Sequence, residues 1–144
     1  MKLIRVQDQR TEKDFIRFPN LLYRDDSNYV APFEKDIRAA FDPQKNVYFR
    51  EGDAVRWILI DGRGKIIGRI AAFYNAIKAE ADDVKSGGCG FFECINSQEA
   101  ANLLFDAARD WLAKQGYEAM TGPINFGEND NNWGCLVHGF THPG

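Results

Sequence analysis

Glu93 is the residue of this chain best placed to move a proton. It stands inside the run Gly90-Phe91-Phe92-Glu93-Cys94-Ile95, whose aromatic and apolar content predicts a strand over 89–95. Alternation puts Phe91 and Ile95 on the same face as Glu93. Such neighbours desolvate a carboxylate and raise its pKa, which a general base working at neutral pH requires. The same surroundings suit a structural carboxylate paired with an arginine or a backbone amide, the commoner role for a single acid.

The other reactive side chains carry less. Cys94 falls on the opposite face from Glu93 with no basic neighbour in sequence. A nucleophilic thiol needs an electropositive setting, so Cys94 reads as a small buried hydrophobe. Cys135-Leu136-Val137-His138, followed by His142, has one ligand-like spacing. A zinc site takes about four ligands, and with only Cys89 and Cys94 to add, no metal is expected. Asp61-Gly62-Arg63-Gly64 is a turn with no helix after it, so it lacks the geometry of a phosphate loop. The polar run Gly127-Glu128-Asn129-Asp130-Asn131-Asn132-Trp133 fits a ligand-contacting loop and a pair of successive turns equally well.

The elements that must position Glu93 follow from spacing. Leu3–Val6 reads as a short first strand. Thr11 is an expected helix N-cap with Phe15, Phe18 and Leu22 as the buried side, and Pro19 predicts a kink or a restart. Pro32 is expected in the first turn of a second helix, with Phe33, Ile37 and Phe41 on its inner face and Asp42-Pro43 ending it. Residues 54–60 and 65–73 form the clearest hairpin, around the Asp61–Gly64 turn. Gly68 inside its second strand implies a close approach or a bulge. Residues 75–85 suit either a short helix or a loop. After the Glu93 strand comes the best helix. Asn96 and Glu99 have the spacing of a capping box, and Ala100, Leu104, Ala107, Ala108 and Trp111 make its apolar stripe. Gly116 is its left-handed cap. Residues 117–121 are a last strand. The order β-α-α-β-β-β-α-β implies a mixed α/β sheet flanked by helices, with residues 1–122 as one domain and 123–144 as a polar, irregular segment without a closing element.

Composition narrows the function classes. The 144 residues are 44% hydrophobic and 13% aromatic, with net charge −3, which suits one folded domain rather than disorder. No Lys/Arg stripe appears, so nucleic acid is not the expected partner. No apolar run approaches the length of a membrane helix, and no signal-peptide core follows Met1. Three cysteines are too few and too scattered for a disulfide framework, so a cytoplasmic setting is expected. An uncovered sheet edge invites pairing with another chain, and a homodimer is the expected assembly.

Two stretches resemble the acetyl-CoA-dependent N-acyltransferase (GNAT) superfamily. Gly64-Lys65-Ile66-Ile67-Gly68-Arg69-Ile70 looks like its third strand. The segment from Ala101 through Leu103-Leu104, Ala107-Ala108 and Trp111 to Lys114 and Gly116 looks like its cofactor-side helix. Gly90–Asn96 and Gly122-Pro123-Ile124-Asn125-Phe126 are similar to an uncharacterised bacterial branch whose members are longer than this chain. The resemblance implies a mostly antiparallel GNAT-like sheet, here the N-terminal portion of a longer protein. It implies Glu93 as catalytic base toward a small-molecule amine. It implies that Ile95, Asn96, Ser97, Gln98, Glu99, Ala100 and Ala101 carry the pyrophosphate of acetyl-CoA or another acyl-CoA. The family's pyrophosphate loop has the form Arg/Gln-x-x-Gly-x-Gly/Ala. Aligned on the helix, it meets Asn96, Glu99 and Ala101, and only Ala101 fits. A carboxylate at Glu99 would compete with phosphate for the helix amides. The alternative is therefore a non-catalytic domain with a degenerate cofactor loop, which binds another ligand or serves in assembly.

Overall fold

The computed structural model describes residues 1–81, 83–124 and 126. Strand β1 (Lys2–Arg5) leads into helix α1 (Gln9–Leu22). The N-cap of α1 is Asp8 rather than Thr11: the Thr11 amide donates to Asp8 Oδ1 at 2.7 Å and the Asp8 amide donates to Thr11 Oγ1 at 3.2 Å. Thr11 is thus the third-position partner of a reciprocal cap. Pro19 neither stops nor restarts the helix, which runs through it. A proline leaves the carbonyl four residues back without its helical donor. Here that carbonyl, on Phe15, accepts from Arg69 Nη1 at 2.7 Å.

Helix α2 (Glu34–Ala40) begins two residues after Pro32, with Phe33 as its N-cap in extended conformation. Phe33 therefore leaves the helix face and is 75% exposed, while Ile37 and Phe41 are buried as expected. A 3-10 helix (Val47–Glu51) follows, held by Asn46, whose side chain caps the Tyr48 amide and donates to the carbonyls of Ala40 and Phe126.

Strands β2 (Gly52–Ile60) and β3 (Ile66–Asn75) form the hairpin. Its turn is closed by Asp61 Oδ1, which accepts the amides of Arg63 and Lys65. The choice left open at 75–85 resolves into a short α3 (Ala76–Glu80) capped by Asn75. Strand β4 (Ser86–Cys94) starts three residues before Cys89. Its glycines suit close packing: a Cβ on Gly87 would lie 2.4 Å from Leu112, and one on Gly88 2.5 Å from Phe73. Helix α4 (Gln98–Lys114) ends at Gly116, φ +89°, and β5 (Ala119–Thr121) follows.

The sheet order is β1-β2-β3-β4-β5, antiparallel except for the parallel pair β4–β5. Helix α4 covers one face. Its buried residues are Ala100, Leu104, Ala108 and Leu112, while Ala107 and Trp111, expected on the same apolar stripe, are half-buried. They pack on Val55, Leu59, Ile70 and Ala72. Gly68 is a site of close approach, since a Cβ there would meet Leu104 Cδ1 at 2.6 Å. Helices α1 and α2 cover the other face, where Phe15, Ile16, Ile37 and Phe41 pack on Ile58, Ala71 and Phe73. Of the 123–144 segment, Gly127–Trp133, Cys135, His138 and His142 lie outside the described residues.

Candidate active site

The position of Glu93 depends on a bulge. Arg69 pairs with Glu93 and Ala71 with Gly90, so two residues of β4, Phe91 and Phe92, oppose the single Ile70. Phe91 takes φ 52°, a left-handed conformation rare for a non-glycine residue. One extra residue reverses the alternation that follows it. Before the bulge, Gly87 and Cys89 face α4; after it, Phe92 and Cys94 do. Phe91 and Glu93 consequently share the α1 face, as alternation within 91–95 predicts.

There Glu93 is half-buried and accepts a hydrogen bond from the hydroxyl of Tyr23, the residue that ends α1. Tyr23 stacks on Tyr29 with ring centroids 4.9 Å apart, and the Tyr29 hydroxyl donates to Asn20 at 3.4 Å. Burial first, and Glu93 second, hold the Tyr23 hydroxyl well above the ordinary tyrosine value. Burial also pushes Tyr29 up. Arg69 lies on the floor, only 4% exposed. Burial pushes its guanidinium down to about 10, still a cation at neutral pH, and Glu93 is the charge that most favours that cation. Its plane rests near Phe15 at 4.9 Å and Phe91 at 5.9 Å. Glu93 is thus neither a lone base nor the half of a simple arginine pair: its described hydrogen bond comes from a tyrosine.

The strand enters α4 directly. The Ile95 amide donates to Ile67 O at 3.0 Å, and the Ser97 amide to Ile95 O at 2.7 Å. Ser97, not Asn96, is the N-cap, and its Oγ accepts from the Ala100 amide at 3.2 Å. This moves Glu99 to the second helical position, where it is exposed and is no partner of the cap. Asn96 and Gln98 are exposed, and the Gln98 side chain donates to Asn102. Ala100 is buried and Ala101 half-buried. Among the described residues the amides of Gln98 and Glu99 have no hydrogen-bond acceptor. Strand β5 pairs with β4 only over Ser86–Gly88, after which the Ile124 amide still reaches Cys89 O. The edge from Phe91 to Cys94 therefore has no strand beside it on that side among the described residues.

An open backbone edge leads into helix amides that have no acceptor among the described residues, an arrangement that suits an anionic ligand. The side chains of the loop fit less well: no glycine lies between Ile95 and Ala101. Cys94 faces away from Glu93, and burial raises its thiol and that of Cys89. Among the described residues no three His, Cys, Asp or Glu side chains come together as a metal site would need. Spacing brings Glu93 and the 95–101 turn together but misses Tyr23, Tyr29 and Arg69. Arg69 has a readable signal, a lone cation inside an apolar strand. The two tyrosines belong to a helix end and a loop, where periodicity is silent.

Two acetyltransferases of known structure share this fold. A GNAT-family acetyltransferase from Staphylococcus aureus superposes with a TM-score of 0.56 at 13% identity, over 85% of this chain and 72% of that one. A predicted acetyltransferase from Clostridium acetobutylicum, crystallised with acetyl-CoA, gives 0.52 at 12% identity, over 98% and 97%. The chain has a GNAT-like fold. No family model matches this GNAT-like chain. In sequence it is 30% identical to Protein YghO of Escherichia coli over 134 residues, covering 91% of the chain and 33% of that protein. It is 28% identical to a bacterial ceramide synthase of Caulobacter vibrioides over 144 residues, covering 99% and 37%. The GNAT-like chain thus spans about a third of the length of the curated relatives it matches. Among its described residues no helix is long and apolar enough to cross a membrane.

Proposed function

We propose that this chain supplies the acyl-CoA edge and the proton acceptor of an N-acyltransferase. The observation that carries the reading is the site of Glu93. It is a half-buried carboxylate on the part of β4 that β5 has left, just before the free amides of α4. An acyl-CoA supplies an activated thioester. The chain's own residues do the rest: the edge 91–94 aligns the carrier, the amides of Gln98 and Glu99 meet phosphate, and Glu93 takes the proton the amine loses as the C–N bond forms and the thioester C–S bond breaks, coenzyme A leaving as its thiolate. Ile95, Asn96, Ser97, Ala100 and Ala101 shape that turn. A ceramide is an amide of a long-chain amino alcohol, so the ceramide synthase relative supports a long-chain amino alcohol as acceptor and a long acyl chain as donor.

Calorimetry with acetyl-CoA on this chain, with Glu99→Gly beside it, tests the cofactor half. Binding in both, tighter by a few-fold in the variant, is the expected result. Binding only in the variant identifies a cofactor site closed by Glu99 and favours a non-catalytic domain. No binding in either removes the acyltransferase reading. Glu93→Gln is expected to leave binding intact and to lower transfer from palmitoyl-CoA to sphinganine by about 10²-fold or more.

A further inference from the structure

We propose that Arg69 is the positioning residue of the Glu93 site, and that Pro19 holds it there by freeing the Phe15 carbonyl for its guanidinium. This goes beyond the acyltransferase reading and rests on it only for the consequence in turnover.

Four observations converge. Arg69 stands directly opposite Glu93 in the β3–β4 register and on the same face. It is 4% exposed, and its single described hydrogen bond is the one from Nη1 to Phe15 O, while Nε is buried without a partner. Phe15 is four residues before Pro19 in an unbroken helix, so its carbonyl is the one that proline deprives of an amide. The same helix ends at Tyr23, which donates to Glu93. A buried cation depends on the hydrogen bonds left to it, and here the described one is to Phe15 O. Any other residue at 19 brings an N–H to the same carbonyl. Helix geometry would then give the Phe15 carbonyl an internal donor, and the guanidinium would share that oxygen instead of holding it alone. The proline, unfavourable inside a helix, is thus matched by a function: it turns one backbone carbonyl toward the sheet. Among the described residues, the groups facing Glu93 from the elements packed on it are Tyr23 from α1, Tyr29 from the loop after it and Arg69 from β3. Of these, Arg69 is the only cation.

The test is a double-mutant cycle of Pro19→Ala and Arg69→Met, read by urea unfolding of this chain. In the original background Arg69→Met strips the Phe15 carbonyl of its donor; in the Pro19→Ala background the helix supplies one. The Arg69→Met penalty is expected to be smaller by about tenfold in the unfolding constant when Pro19→Ala is also present, the size of one hydrogen bond to a charged group. Additive effects would overturn the link between Pro19 and Arg69. Positioning is read separately in the proton spectrum, from the downfield hydroxyl resonance of Tyr23, assigned by its loss in Tyr23→Phe. It is expected to move upfield in Pro19→Ala and in Arg69→Met, and to return toward its place in Arg69→Lys. A resonance unmoved by both substitutions would leave Arg69 a merely structural cation and overturn the proposal. In transfer from palmitoyl-CoA to sphinganine, Pro19→Ala is expected to lower kcat about tenfold with the KM for palmitoyl-CoA unchanged. An unchanged kcat likewise overturns it. Were the original chain to transfer nothing while the cycle and the resonance behave as stated, the acyltransferase reading would fail and the Pro19–Arg69 device would stand.

Discussion

The two faces of one sheet are built on different physics. Under α4 the contact is dry: Ala100, Leu104, Ala108 and Leu112 press into a surface that Gly68 and Gly87 have lowered to receive them. Under α1 and α2 the sheet presents Arg56, Arg69 and Glu93 among Phe15, Phe41 and Phe91. There the arginines rest on aromatic rings and are tied to α1, Arg56 through Glu12 at 3.2 Å and Arg69 through a main-chain carbonyl. The dry face holds the layers together without specifying chemistry. The mixed face sacrifices some stability, since buried cations are costly to desolvate, and gains a fixed field around a carboxylate.

That contrast breaks most sharply at Leu104. Truncation to Ala removes a fully buried side chain and is expected to cost about 3–5 kcal/mol in urea unfolding. Gly68→Ala alone is also expected to destabilise, because its Cβ would lie 2.6 Å from Leu104 Cδ1. In the double variant the two changes should compensate in part. If they are additive, the close fit of α4 on β3 is not what holds this face. On the other face, Glu12→Ala is expected to cost about 2 kcal/mol, the penalty for leaving the mostly buried Arg56 without its acceptor. Among the described residues Arg56 already has one unpartnered nitrogen, and Arg38 loses the same carboxylate. A loss as large as that of Leu104→Ala would erase the distinction between the faces; no loss would mean that the aromatic rings suffice to hold Arg56.

The dry face is far more legible in sequence than the mixed one. Apolar spacing locates α4 and the β2–β3 hairpin, and Gly68 and Gly116 announce their roles, because each obeys a local rule of period or conformation. Helix starts slip by one to three residues at Asp8 and Ser97, where several polar residues could each have served as cap. The five-residue 3-10 helix is too short to carry a period. The Glu93 site is different in kind: its partners come from residues 23, 29 and 69, and no local pattern states which helix end will reach which strand. Pro19 misleads for the same reason. Its cost is local, but the group that offsets it, Arg69, is about fifty residues away in sequence.

The smallest predicted effect is also the most specific to the mixed face. Tyr23→Phe removes the hydroxyl donated to Glu93 and keeps the ring stacked on Tyr29. At neutral pH the loss is expected to be about 1 kcal/mol, a single net hydrogen bond. Its pH dependence reports how firmly burial and Glu93 together keep that hydroxyl protonated. In the unfolded chain tyrosine ionises near pH 10, whereas burial and Glu93 hold folded Tyr23 above that. The folded state therefore keeps a proton that the unfolded state gives up. The stabilisation is complete below about pH 10 and declines as the pH rises beyond it. Arg56 and Arg69, both depressed by burial, act in the opposite sense over the same alkaline range. The informative quantity is thus the difference between the original chain and Tyr23→Phe, in which their contributions largely cancel. That difference should be constant from about pH 7 to 9 and shrink from about pH 10 to 11. A difference that stays flat would mean that neither burial nor Glu93 keeps the Tyr23 hydroxyl protonated, and the field assigned to this face would lose its most direct witness.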